Sequence, residues 1–159
     1  MSLTELVDKA INNIQKGKGY LDHGNDGTIY AITDEVVLKL HTGSYRGSPQ
    51  KSAEYEFSFG TELYQHGVQV PQYLGLFGPV PLHHREGCGI FMERIHGLDP
   101  SSLQFPGLLE ARRQYLEQKK KIEELGYVVK DSKNVYSNTL FDPKQNKLFL
   151  FDLVRWERK

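Results

Sequence analysis

Gly24 and Gly27 lie three residues apart and precede an alternating apolar run in which a single lysine, Lys39, is embedded. A glycine loop leaves backbone N–H groups free to cradle phosphates, and a lysine on the following strand can neutralise their charge. The same "GNDG" stretch is also favourable turn chemistry, and strand alternation can direct a lysine to solvent. These residues alone therefore leave two alternatives, a plain hairpin or the front of a phosphate-binding site.

A carboxylate partner for Lys39 would decide between these alternatives. Its neighbours in "VVLKL" are apolar, and a lysine buried among such residues needs a paired charge. The next predicted helix offers three carboxylates, Glu54, Glu56 and Glu62. Pairing with one of them would favour the functional alternative.

The elements around these residues follow from periodicity and turn chemistry. Ser2 and Glu5 have capping-box spacing and predict a first helix that ends at Gly17. "TIYAI" and "VVLKLH" predict an antiparallel hairpin, and Lys51 to His66 predicts a second helix. "VQVPQYLGLFG" and "GCGIFMERI" predict two further strands, separated by a loop over residues 79–86.

The second half of the chain predicts a long helix followed by a hairpin. Gly97 to Gly107 is an irregular connector, and the helix runs from Leu108 to Leu125. The side chains expected to face inward from this helix are Leu109, Tyr115, Leu116, Ile122 and Leu125. "NTLFDPKQNKLFLFDLV" has the pattern of a hairpin turning near Pro143. The sequence as a whole indicates an α+β fold.

Composition restricts the class of protein. Twenty basic and twenty acidic residues cancel, so no strong signal for nucleic acid is present. Cys88 is the only cysteine, which excludes an internal disulfide. No apolar run approaches the ~18 residues of a membrane span, and we expect no membrane partner and a cytoplasmic, soluble protein.

Several motifs together resemble the protein-kinase-like superfamily, in particular the minimal, atypical kinases of the RIO type. "GNDGTIY" and "VVLK" resemble the glycine loop and strand lysine of kinases, with Asp22 where the first glycine would stand. "AEYEFSFGTELYQHGVQVP" resembles the following helix, and "GIFMERIHG" resembles the strand and hinge. "YVVKDSKNVYSNTLFD" and "LFLFD" resemble the segment from the catalytic aspartate to the metal-binding aspartate. The resemblance extends from Gly19 to Val154 and rests chiefly on the order of the motifs.

The resemblance implies a role for each matching residue. Lys39, held by Glu56, would position the α- and β-phosphates of ATP, and Asp131 would accept the proton of the substrate hydroxyl. Asn138 and Asp152 would bind Mg²⁺. The residues implied in nucleotide binding are Gly24, Gly27, Ile29, Lys39, Met92 at the gatekeeper position, and the backbone of Glu93 and Ile95.

The fold implied is a single two-lobed, kinase-like domain over residues 1–159. Residues 1–18 would form the N-terminal helix, residues 19–96 a lobe with a small antiparallel sheet and the hinge, and residues 97–159 a truncated helical lobe. The implied activity is transfer of the γ-phosphate of ATP, with Mg²⁺, to a hydroxyl of a protein Ser or Thr.

Two sequence features favour an alternative, a pseudokinase that binds nucleotide or protein without transfer. Asp131 precedes Asn138 by seven positions where kinases have five. Counted five positions back from Asn138, the place of the catalytic aspartate is occupied by Lys133, and Asn134 is another candidate for the metal ligand. Val129 also replaces the usual histidine.

Overall fold

The structure is a computed structural model that describes residues 1–24, 26–43, 45–129, 138–153 and 156–159. This part of the chain has an α+β fold with three α-helices, α1 (Leu3–Gln15), α2 (Pro49–Gln65) and α3 (Gly107–Glu124). One antiparallel sheet contains β1 (Tyr20–His23), β2 (Gly27–Ala31), β3 (Val36–His41), β4 (Tyr73–Leu82) and β5 (Arg85–Glu93). Two smaller sheets pair β6 (Tyr127–Val129) with β9 (Trp156–Arg158) and β7 (Thr139–Asp142) with β8 (Lys147–Leu150). The α+β prediction is confirmed.

The chain divides into two compact units. The first consists of Met1–Ser58 and Gln72–Arg94, and the second of Phe59–Pro71 and Ile95–Lys159. The predicted division placed the boundary after residue 96 and assigned residues 59–71 to the first lobe. In the structure those residues cluster with the second unit.

The first unit is built on the five-stranded sheet, in the order β1-β2-β3-β5-β4. Leu38 and Leu40 point to one face of β3 and join a core with Leu6 and Ala10 of α1. Lys39 must point to the opposite face because successive side chains of a strand alternate. The predicted capping box of α1 is present, since Ser2 and Glu5 exchange reciprocal hydrogen bonds.

The prediction of a loop over residues 79–86 was wrong. Strand β4 continues to Leu82, β5 begins at Arg85, and the turn is reduced to His83 and His84. Prolines in the stretch suggested a loop, but β4 is an edge strand, where a missing N–H does not break a ladder. An irregular register between Phe77 and Val80 further accommodates the proline-containing segment.

The second unit contains α3, and its buried face differs from the predicted one. Tyr115 and Ile122 are buried as expected, whereas Leu109 and Leu116 are each 53% exposed. Gln114 and Gln118 occupy the inward positions instead. They do so because their amides satisfy backbone groups of neighbouring segments, which a hydrophobic pattern does not reveal.

The predicted hairpin near the end of the chain is confirmed by the pairing of β7 with β8. In the described ranges no helix combines the length and apolar character that crossing a bilayer would require.

Candidate functional site

Lys39 is buried in the middle of the five-stranded sheet, with 3% of its surface exposed. It pairs in register with Ile29 of β2 on one side and Ile90 of β5 on the other. Directly paired residues of neighbouring strands share one face of a sheet. The predicted nucleotide-binding residue Ile29 therefore stands beside Lys39, and the alternative of a solvent-facing lysine is wrong.

Glu56, on the second helix, is the partner of this lysine. The Nζ of Lys39 lies 2.8 Å from Oε2 and 3.1 Å from Oε1 of Glu56, and the Glu56 residue is 1% exposed. Of the three carboxylates that the sequence offered, Glu54 is exposed and Glu62 accepts a hydrogen bond from Tyr127 in the second unit. The predicted pairing of Lys39 with Glu56 is thus present.

The electrostatics of this pair favour the charged form of Glu56. Burial alone would raise the pKa of the carboxyl, but the positive charge of Lys39 and a hydrogen bond from His41 outweigh it and lower the pKa to about 2. The carboxylate is therefore ionised at neutral pH.

His41 is a third member of the cluster that sequence reasoning missed. Its Nε2 lies 2.8 Å from Oε2 of Glu56, and its side chain is fully buried. The signal was available in the sequence, because His41 follows Lys39 by two positions and must share its face of β3. We name Lys39, His41 and Glu56 the buried triad.

The two glycines of the opening stretch have different surroundings. A Cβ on Gly27 would lie 2.6 Å from the carbonyl oxygen of Leu40, so the close approach of β2 and β3 requires glycine there. No atom of the described residues would lie within 4 Å of a Cβ on Gly24. The N–H of Gly24 donates to the carbonyl oxygen of Gly27 at 2.9 Å, which closes a tight turn. Packing therefore accounts for Gly27 without a ligand, whereas it places no constraint on Gly24.

The predicted gatekeeper, Met92, is buried and pairs in register with Val37. The next residue, Glu93, donates its N–H to the carbonyl oxygen of Gln72 at 2.9 Å. The Glu93 carboxylate accepts the N–H of Gln72 at 3.1 Å, a donor that an antiparallel ladder would otherwise direct to a carbonyl. Both backbone groups of Gln72 are thus bonded to Glu93, which fixes the end of β5. Ile95 follows as a half-buried residue of the second unit.

The two predicted metal ligands lie at the open ends of the β7–β8 hairpin in the second unit. The carbonyl oxygen of Asn138 accepts the N–H of Phe151 at 2.8 Å, which brings Asn138 beside the residue that precedes Asp152. Both Asn138 and Asp152 have left-handed backbones, with φ of 60° and 56°. Asn and Asp adopt this conformation more readily than other side chains, and such conformations are enriched at functional sites.

Amide and carboxylate oxygens are hard ligands of the kind that Mg²⁺ prefers. Among the described residues no group of three His, Cys, Asp or Glu side chains could hold a metal ion. A two-ligand Mg²⁺ site does not require such a group, since Mg²⁺ usually keeps several waters and is bound jointly with phosphates. The chemistry of these two side chains therefore fits the predicted ion.

The predicted base, Asp131, lies in the range 130–137, outside the described residues, as do Lys133 and Asn134. The geometry of the predicted proton acceptor stays a prediction.

Neither the models of known protein families nor the curated proteins gave a match to this sequence.

Proposed function

We propose that this chain is a minimal kinase-like protein of the atypical, RIO-like type, which binds ATP with Mg²⁺ and transfers the γ-phosphate to a hydroxyl of a protein. The single observation that carries the proposal is the buried ion pair between Lys39 and Glu56. The cost of removing two charges from water makes such a pair a poor stabilising device, and replacement by apolar residues is often neutral or favourable. A requirement for a fixed lysine at a phosphate site explains its presence.

The residues around this pair support the same function. Ile29 and Met92 lie on the Lys39 face of the sheet, where an apolar wall would contact the nucleotide base. Within the described part of the chain nothing lies within 4 Å of a Cβ built on Gly24, which would leave room for a ligand to approach the backbone there. In this proposal the lysine positions the α- and β-phosphates, and positioning with charge neutralisation supplies most of the rate.

In the second unit, Asn138 and Asp152 would hold Mg²⁺, and the ion would neutralise charge on the phosphates. The protein contribution is the hairpin, because the N–H of Phe151 donates to the carbonyl oxygen of Asn138 and holds the backbones at its two open ends together. Asp131 would orient the acceptor hydroxyl. The two-lobed, kinase-like arrangement belongs to this proposal.

The alternative function is a pseudokinase that binds nucleotide or a protein partner without transfer. The observations that favour it are the seven-position spacing from Asp131 to Asn138 and Val129 at the histidine position. Both alternatives require nucleotide or partner recognition at the Lys39 face, and they differ only in transfer.

Thermal unfolding with ATP and Mg²⁺ tests binding. A ligand at 100 times its Kd stabilises a protein by about 2.7 kcal/mol, which for a chain of this size raises Tm by roughly 5–10 °C. We expect this increase for the wild type and for the control Glu54→Gln, and its loss in Lys39→Met. An unchanged Tm of the wild type, with and without metal, would refute both nucleotide-dependent functions.

Transfer is tested separately with labelled ATP and generic protein acceptors. Label incorporation that disappears in Asp152→Ala supports a kinase. A Tm increase without incorporation supports the pseudokinase, and incorporation that persists in Asp152→Ala contradicts the metal-site assignment.

A further inference from the structure

His41 occupies a position that the assignment of Lys39 and Glu56 does not require. It lies on the Lys39 face of β3, opposite Gly27 of β2 and Cys88 of β5. Its side chain is fully buried, and its Nε2 is 2.8 Å from the same oxygen of Glu56, Oε2, that Lys39 contacts. One carboxylate oxygen thus joins two side chains of the strand.

The direction of the His41 hydrogen bond follows from the charge of its partner. An ionised carboxylate has no proton to donate, so the bond requires the proton on Nε2 of the ring. The other ring nitrogen, Nδ1, is buried, and no hydrogen-bond partner reaches it within the described part of the chain. A buried nitrogen left as an unused acceptor costs less than a buried donor or charge without a partner. The contact therefore assigns the Nε2–H tautomer to His41.

We propose that His41 is a positioning residue of the nucleotide site, which holds Oε2 of Glu56 so that the carboxylate stays turned towards Lys39. The inference rests on the proposed binding of ATP and deepens it. His41 acts through Glu56 and need not contact the nucleotide.

A third residue is needed because the glutamate side chain is flexible. The terminal torsion of a glutamate side chain is broad, so one flexible lysine does not fix the plane of the carboxylate. A ring nitrogen at 2.8 Å, on a histidine held within a central strand, anchors one oxygen. When phosphates compete with Glu56 for the lysine, the anchored carboxylate remains in place. Lys39 then keeps a defined position along the phosphates.

The tautomer is tested directly in the wild type, without any nucleotide. A long-range ¹H–¹⁵N spectrum of the histidine rings, with His41 assigned by its loss in a variant, should show a proton on Nε2 and none on Nδ1. A ring without a proton on Nε2 would overturn the inference, because Nε2 could then not donate to Glu56.

Two replacements of His41 separate positioning from packing. The amide nitrogen of Gln reaches to about where Nε2 stands, whereas that of Asn is too short for Glu56. We expect His41→Asn to weaken ATP·Mg binding by about tenfold or more, the factor carried by one hydrogen bond to a charged group. His41→Gln should restore the affinity to within about threefold, and His84→Asn in the exposed β4–β5 turn serves as the matched control.

Isothermal titration calorimetry measures the affinity of each variant for ATP·Mg and for adenosine. Adenosine is the second ligand because it lacks the phosphates on which Lys39 acts. Its affinity should be unchanged in His41→Asn. Equal loss of ATP and adenosine affinity, or no loss of either, would overturn the positioning role. If His41→Asn does not fold, the tautomer of the His41 ring in the wild type tests the inference instead. A wild type that binds neither ligand refutes the proposed function itself and the positioning role with it. Equal ATP binding by the wild type and the His41 variants refutes the positioning role alone, so the two failures are distinguishable.

Discussion

Replacement of Glu56 by glutamine should destabilise the fold and remove a specific part of its acid sensitivity. The substitution keeps the shape of the side chain but leaves the charge of Lys39 buried without a counter-charge. Removing one partner from a buried ion pair typically costs about 3–5 kcal/mol, because the remaining charge is uncompensated. We therefore expect Glu56→Gln to lower the free energy of unfolding at pH 7 by about that amount.

The pKa of Glu56 gives a second route to the magnitude. Its ordinary value is 4.5, and in the fold, where burial opposes ionisation but Lys39 and His41 outweigh it, the value falls to about 2. The difference corresponds to roughly 3 kcal/mol. Since the pKa is lowered on folding, this stabilisation is fully present above pH 4.5 and is lost as the pH falls from 4.5 towards 2. Both routes agree on the order of magnitude.

Urea unfolding followed by circular dichroism at pH 7, 4.5 and 3 measures both effects. Glu54→Gln is the matched control, because Glu54 lies on the same helix and is exposed. Its stability should stay within about 0.5 kcal/mol of the wild type at neutral pH. The wild type should lose stability between pH 4.5 and 3 more steeply than Glu56→Gln, which lacks the titrating carboxyl.

Two results would refute this reasoning. One is a loss of less than about 1 kcal/mol at pH 7 in Glu56→Gln, which is the size of an exposed salt bridge. The other is a parallel decline of wild type and Glu56→Gln below pH 4.5, which would show that other carboxyls carry the acid sensitivity.

Two further replacements test the packing around the site and in the second unit. Gly27→Ala should lower the free energy of unfolding by about 1–3 kcal/mol, because its Cβ would lie 2.6 Å from a carbonyl oxygen of β3. Gly24→Ala should not show this loss, because no described residue has an atom within 4 Å of the added Cβ. Gln114→Leu should cost about 2–4 kcal/mol in urea unfolding, since the buried N–H of Leu148 and the carbonyl of Asn146 each lose their amide partner; a cost within 0.5 kcal/mol would contradict that role.

Local signals predicted α1, α2 and the β2–β3 hairpin of the first unit, but not β1 or the length of β4. Capping-box spacing located the start of α1, and the apolar run "VVLKLH" located β3. Once the alternation is known, His41 must share that face, so the buried triad was implicit in the sequence. Choosing Glu56 over Glu54 and Glu62 depended on the family resemblance. Helical spacing alone does not say which turn of α2 faces a strand many residues away.

Other features could not be predicted because they depend on long-range contacts. The inward face of α3 is set by Gln114 and Gln118, whose side-chain oxygens accept hydrogen bonds from distant backbone N–H groups, while Leu109 and Leu116 stay exposed. The length of β4 depends on its place at the sheet edge, where proline is tolerated. In both cases the structure of the segment depends on a contact with a distant part of the chain, which the local sequence pattern does not identify.

Replacement of the ion pair within the buried triad tests whether the pair is required for folding or for function. An apolar pair of similar volume, as in Lys39→Met with Glu56→Leu, would fill the same space without desolvating charge, and such exchanges are often neutral or stabilising. We expect this double variant to be more stable than Glu56→Gln, because no uncompensated charge remains. If ATP binding is nevertheless lost in the double variant, stability cannot explain why Lys39 stands between Ile29 and Ile90 on the sheet and pairs with Glu56 of α2. The ion pair would then be explained by a ligand that needs a fixed positive charge, and phosphate is the chemistry that fits.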